Sequence, residues 1–389
     1  MDKTAYLVLE NGTIFQGKAF GAEVPVIGEL VFTTGMTGYL ETLTDKSYHG
    51  QIVVQTFPLI GNYGVIPADF EGDRIGPAAY IVQDWCQYPS NFRSVGDIDT
   101  FLKEQNIAGL CDIDTRALTK LLRENGVMNG QIVYDRENID VAAIKNYRVE
   151  HAVEAVTCEC KIQNGHSGQA ECTEKKQVRY RVALMDFGYK ENIKRELEQH
   201  GCEVILCRAG TKAKEILAIK PDGIMLSNGP GDPAENTEII QELRKLMDSG
   251  IPMFGICLGH QLLALANGFQ TAKLKYGHRG ANQPVKDRVT GQVVITTQNH
   301  GYEVISSSIR EDIASERYVN VNDGSCEGID YKNAPVFSLQ FHPEACAGPR
   351  DSEFLFQRFL MMIQQYKGQC NRKDEIRCPF DLHKVKERW

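Results

Sequence analysis

The sequence predicts an α/β protein in two blocks: a mixed α+β domain over residues 1–152, then a doubly wound, mostly parallel sheet over residues 179–367. Three observations carry this reading. The first block opens on short alternating apolar runs and turns helical only later. The second alternates strand-like and helix-like segments at the spacing of βαβ units. Between them, residues 153–178 form a linker: from Thr157 to Gln177 the chain is polar with little apolar periodicity, and the most it could hold is a frayed hairpin. The charged end, 368–389, reads as a peripheral tail.

In the first block the strand patterns are Tyr6–Leu9, Thr13–Phe15, Gly28–Thr33 and Gln51–Gln55. Helical patterns follow at Thr100–Gln105 and Thr115–Glu124. Asp114 and Thr115 are N-cap candidates for the latter, and Gly126 is its stop. In the second block, strand Arg181–Asp186 leads to helix Asn192–His200, and strand Glu203–Cys207 to helix Lys212–Ile219. Strand Gly223–Leu226 leads to helix Thr237–Met247, and strand Met253–Ile256 to helix Leu258–Ala266. Further strand-like runs lie at Val293–Thr297, Tyr318–Val321 and Val336–Gln340.

Composition narrows the function. At about 150 residues per domain, 389 residues make two to three domains. No apolar run approaches the ~18 residues that span a bilayer. A net charge of −8 argues against nucleic acid as a partner, since phosphate binding needs a basic footprint. The N-terminus has no secretory pattern, so a cytoplasmic protein is expected. The 12 cysteines then read as reduced thiols. Cys158, Cys160, Cys172, Cys370 and Cys378 lack the paired spacing of zinc sites, so no metal is expected.

The strongest chemical signal is Gly255-Ile256-Cys257-Leu258-Gly259-His260-Gln261, where a strand meets a helix. Small residues two positions either side of a nucleophile permit the strained turn that lifts it above a sheet. A thiolate at Cys257 would gain from the helix N-terminus, and the Leu258 N–H is placed to meet an oxyanion. Chance glycines around a buried thiol are the competing explanation. A base is offered by Phe341-His342-Pro343-Glu344: residues two apart in an extended segment face the same way, so Glu344 can orient His342. The turn Leu226-Ser227-Asn228-Gly229-Pro230-Gly231-Asp232-Pro233 follows a strand of the same block. It leaves backbone N–H groups at the sheet edge where ligands of such folds bind. His260 and His300 read as structural hydrogen-bonding residues, and Asp112 or Asp114 as a helix cap.

Together these three segments resemble the class I, or triad, glutamine amidotransferases in order and spacing. The first block is similar to the N-terminal domain of the carbamoyl phosphate synthetase small-subunit family. The likeness is carried by Phe32-Thr33-Thr34-Gly35-Met36-Thr37-Gly38-Tyr39, Leu43-Thr44-Asp45-Lys46-Ser47-Tyr48, Pro58-Leu59-Ile60-Gly61-Asn62 and Asp112–Thr119. With Asp186-Phe187-Gly188-Tyr189-Lys190-Glu191-Asn192-Ile193, the resemblance covers about residues 3–366.

The resemblance implies a Cys257–His342–Glu344 triad that hydrolyses L-glutamine through a γ-glutamyl thioester, with Gly229 and Leu258 as the oxyanion hole. Ser47, Gly231, Gln261, Asn299, Gly301 and Tyr302 match positions that, with Gly229 and Leu258, hold glutamine. The family often has Phe at Tyr302 and Pro at Lys46, so the loop carrying Ser47 is expected to be less rigid. No ATP-binding loop is evident. The resemblance therefore implies a large, ATP-using partner subunit, with ATP and Mg²⁺ on that subunit, no cofactor in this chain, and ammonia channelled between the two. The chain's end at Trp389, with no fused ligase, suggests a two-subunit enzyme serving arginine and pyrimidine synthesis.

Overall fold

The computed structural model describes residues 3–164, 178–345 and 347–373. The first domain runs β1 (Thr4–Leu9), β2 (Ile14–Gly21), β3 (Val26–Thr33), α1 (Tyr39–Thr44), β4 (Gln51–Gln55), β5 (Leu59–Ile60), β6 (Ala79–Ile81), β7 (Asp84–Trp85), α2 (Ile98–Glu104), β8 (Ala108–Cys111), α3 (Thr115–Asn125), β9 (Met128–Val133) and α4 (Val141–Asn146). Seven strands close a barrel in the order β1-β2-β8-β6-β4-β3-β9, while β5 and β7 pair apart. Closure leaves no edge strand exposed. Leu7, Leu9, Leu30, Ile52, Ile81 and Leu110 pack together in its core. The expected strands are present, but closure was not visible in the sequence. The closing strands β6 and β8 are short and buried throughout, with no alternation to read. At α3 the Asp114 carboxylate accepts the Ala117 N–H at 2.8 Å, and Gly126 ends the helix at φ 96°. Asp112 instead pairs with Lys18.

A short helix α5 (Ala152–Val156) and strand β10 (Ile162–Asn164) lead into the second domain. It continues through β11 (Tyr180–Asp186), α6 (Glu191–Gln199), β12 (Cys202–Arg208), α7 (Ala213–Ala218), β13 (Gly223–Leu226), α8 (Thr237–Met247), β14 (Met253–Ile256) and α9 (Leu258–Ala266). Antiparallel strands β15 (Thr271–Asp287), β16 (Val293–Val304), β17 (Ala314–Asn320) and β18 (Cys326–Tyr331) follow, then β19 (Val336–Leu339) and α10 (Phe354–Lys373). One ten-stranded sheet results, in the order β10-β12-β11-β13-β14-β19-β18-β17-β15-β16. Its centre, β12-β11-β13-β14-β19, is parallel. Alternate residues of β11 show why it stays put: Ala183 and Met185 join one apolar layer with Leu226, Leu243 and Leu262. Val182 and Leu184 join the other with Phe254, Phe337 and Phe359. Helices cover both faces, so both sets are buried.

Several elements differ from the sequence expectation. The segment read as a linker contains α5 and β10, and β10 adds an antiparallel edge to β12 with Ile162 opposite Cys207. An edge strand needs only backbone pairing, so its polar composition hid it. Residues 165–177, including Cys172, lie outside the described residues. The last helix runs to Lys373, past the boundary set at 367; the rest of the tail, with Cys378, lies outside the described residues. Strand β15 escaped notice because lysines, glycines and a proline interrupt its pattern, and its pairing with β16 shifts register twice.

Candidate active site

Cys257 sits between β14 and α9 with φ 52° and ψ −103°, a conformation strained for any residue with a side chain. The two glycines of the elbow make it possible. A Cβ at Gly255 would come 2.9 Å from Gly259, and one at Gly259 would come 2.6 Å from the Leu226 carbonyl. The Cys257 N–H donates to Leu339 O at 2.8 Å, pinning the turn to β19. The sulfur lies 3.6 Å from the Asn299 carbonyl, and the residue is 2% exposed. Burial pushes the thiol up to about 12; Asp45 and Glu344 add to the rise, against Lys190 and the Leu258 N–H. Desolvation thus outweighs the Leu258 N–H at the helix N-terminus.

His342 leaves β19, the strand paired in parallel with β14. Cys257 and His342 therefore emerge at the same carboxyl edge of the sheet. The His342 N–H donates to Thr297 O at 2.9 Å, and Nδ1 lies 2.6 Å from Glu344 Oε1, with both side chains fully buried. Nε2 is buried with no hydrogen-bond partner among the described residues. With Nδ1 facing Glu344, Nε2 is the imidazole nitrogen left open. Burial raises the Glu344 carboxyl, but His342 and Lys190 outweigh it and hold it below the usual range. Asn192 Nδ2 donates to the Glu344 backbone carbonyl.

A cavity of about 1090 Å³ opens between the two domains. Ser47, Gly229, Gly231, Cys257, Gln261 and Asn299 line it, with Gly301 and Tyr302. Leu258, His342 and Glu344 are not among its lining residues. At Gly229 a Cβ would strike Phe187 O at 2.3 Å and Leu258 Cδ2 at 2.8 Å, so only glycine lets this turn lie against Leu258. Gly231 has φ 88°. Gln261 Nε2 donates to Tyr302 O and to Gln340 Oε1, each at 2.9 Å, which leaves its Oε1 for a ligand. His260, buried beside the elbow, bonds Ser338 at 2.8 Å, and burial pushes its imidazole down to about 3.

The first domain enters through one loop. Asn228 Nδ2 donates to Ser47 Oγ at 2.8 Å. Asp45 is buried; its carboxylate takes the Ser47 N–H at 2.9 Å, Asn299 Nδ2 at 3.0 Å and the Lys190 ammonium at 3.3 Å. Lys46 reaches Asp73 at 2.6 Å. Four residues outside the loop, Asn228, Asn299, Lys190 and Asp73, thus hold it where Lys46 stands. Glu71 of the same domain accepts the Asn192 N–H at 3.0 Å. Sequence reasoning passed over Asp45, Lys190, Asn228, Arg279 and Glu71. Asp45 and Lys190 stand inside quoted motifs, but only the fold pairs them.

Ligand atoms of His278, His300 and Glu327 lie within 4.8 Å of one another. Each already has protein partners: His300 Nδ1 bonds Tyr302 O at 2.8 Å and Nε2 bonds Gln298 at 3.1 Å, His278 bonds Asp323 at 2.8 Å, and Glu327 takes Asn320 at 3.1 Å. This is a hydrogen-bond network behind the Asn299–Tyr302 segment.

A strained cysteine elbow and a buried His–Glu pair at one edge of a doubly wound sheet define a class I glutamine amidotransferase, and the class I glutamine amidotransferase family model matches residues 183–362. A second family model, the CPSase domain of the carbamoyl-phosphate synthase small chain, matches residues 7–132. The carbamoyl phosphate synthase small chain of Clostridium perfringens is 47% identical over 358 residues, 92% of this chain and 98% of the relative. That of Bacillus cereus is 46% identical, covering 93% and 96%, and that of Lactococcus lactis 43%, covering 93% and 98%. The chain belongs to the carbamoyl phosphate synthase small chain family, as a glutaminase subunit whose partner is a large subunit. No helix among the described residues is long and apolar enough to cross a membrane.

Proposed function

We propose that Cys257, His342 and Glu344 act as a triad that hydrolyses L-glutamine through a γ-glutamyl thioester. His342 Nε2 takes the thiol proton as sulfur attacks the side-chain amide carbon. The C–N bond then breaks, and the imidazolium returns that proton to the leaving nitrogen as ammonia. His342 Nε2 next takes a proton from water, whose oxygen attacks the thioester; the C–S bond breaks, glutamate leaves, and the imidazolium returns its proton to the sulfur. Glu344 stabilises the imidazolium without itself becoming protonated. The N–H groups of Gly229 and Leu258 receive the tetrahedral oxyanion. Ser47, Gly231, Gln261, Asn299, Gly301 and Tyr302 hold the α-amino and α-carboxylate groups. Ammonia passes internally to the large subunit, where ATP, Mg²⁺ and bicarbonate complete carbamoyl phosphate for arginine and pyrimidine synthesis, in the cytoplasm.

The observation that carries this reading is the buried Nε2, unpartnered among the described residues, of an imidazole tied at 2.6 Å to a carboxylate, just past the strand beside the cysteine elbow. The test is Cys257→Ser in the complex reconstituted with its large subunit. Glutamine-dependent synthesis should fall by at least ~10³-fold, the scale of losing a nucleophile, while ammonia-dependent synthesis persists. Retained glutaminase activity overturns the role of Cys257.

A further inference from the structure

One buried cation facing the cavity has no anion among the described residues. Arg279 lies on β15 opposite Asn299 and lines the same cavity as Cys257. Its residue is 5% exposed. Nη1 donates to Tyr276 O at 2.8 Å, and Nε is buried without an acceptor. No carboxylate among the described residues reaches its guanidinium within ion-pairing distance. Nη2 lies against the glutamine-binding segment, since a Cβ added at Gly301 would come 3.3 Å from it. A buried guanidinium stays charged and is costly to leave unpaired. Structural arginines in this chain differ: Arg317, for instance, is held by Asp287 at 2.9 Å and Asp330 at 3.2 Å.

We infer that Arg279 is a specificity-determining residue: its guanidinium receives the α-carboxylate of the substrate, so the site accepts an amino acid rather than any primary amide. The inference rests on the cavity being the glutamine site. A planar fork of donors suits a carboxylate, and the pair is desolvated where Arg279 lies. The Oε1 of Gln261, left free by its other contacts, serves the ammonium end. Substrate supplies the missing anion, so Arg279 is paired only when the site is filled.

The test uses Arg279→Gln and Arg279→Lys in the reconstituted complex, with two substrates: L-glutamine, and 4-aminobutanamide, the same molecule without its carboxylate. Ammonia release gives kcat and KM. Protection of Cys257 against iodoacetamide gives binding without turnover. Arg279→Gln should raise KM and the protecting concentration for glutamine at least ~30-fold, the scale of truncating one partner of a buried charge pair. Its kcat should stay within about threefold, and 4-aminobutanamide should protect as it does in the parent; Arg279→Lys should recover part of the loss. An unchanged glutamine KM overturns the inference. So does an equal loss for both molecules, which marks Arg279 as a prop for the Tyr276 turn. Failure of the triad reading shows separately, as hydrolysis retained by Cys257→Ser.

Discussion

The two domains face one cavity with different means. The second domain presents a sheet edge where glycines, a strained cysteine and a fully buried imidazole leave little freedom. The first lines the other side of the cavity and sends one loop, Asp45–Tyr48, across. Yet the loop's carboxylate neutralises Lys190, which itself steadies Glu344, and Glu71 holds the backbone of Asn192, whose side chain meets the Glu344 carbonyl. Reaction geometry comes from the sheet edge; charge balance comes from the barrel. A hydrolase that merely carried an extra domain would have no reason to bury such a bridge between them.

That division can be broken at either side. The largest effect falls on the sheet edge: Glu344→Gln should lower glutaminase kcat by about 10³- to 10⁴-fold, because the amide no longer favours the working tautomer of His342, with little change in KM. A fall of less than tenfold in steady-state ammonia release would detach Glu344 from the chemistry. Next comes the bridge. Lys190→Met leaves Asp45 buried without its cation and should cost about 3–5 kcal/mol of stability. Adding Asp45→Asn should recover a good part of that, as coupled partners do. Additive losses in denaturant unfolding would show the two domains to be energetically separate.

A third effect is one of pH. Burial pushes the Glu71 carboxyl from 4.5 up to about 8. Between these values Glu71 holds its proton in the native state and not in the unfolded one, so its contribution to stability falls as pH rises from about 4.5 to 8 and is level on either side. Glu71→Gln should flatten that slope in thermal melts taken across the window. A slope identical to that of the parent protein would mean that Glu71 titrates normally.

The same division explains what could be read in advance. Strand–turn–helix chemistry is local, so Cys257 with its flanking glycines, the His342–Glu344 spacing and the Gly229–Gly231 turn stand out as short strings. Parallel strands such as β13 and β14 are short apolar runs bounded by turns, and their limits match the structure. What could not be read depends on distance along the chain. Asp45 and Lys190 meet only after both domains fold, and Arg279 looks like one basic residue in a glycine-interrupted stretch. Its lack of an anionic partner among the described residues is a property of three dimensions. The barrel was hidden for a related reason: β6 and β8 are too short and too uniformly buried to show a period.

The central claim is that the buried sulfur of Cys257 becomes acylated. Acid quenching of the complex during turnover of isotopically labelled glutamine, followed by peptide mapping, measures this directly. The account predicts one glutamyl label on the peptide containing Cys257, lost on treatment with hydroxylamine and absent from Cys257→Ser. Steady turnover with no label on that peptide, or label on another residue, would contradict it.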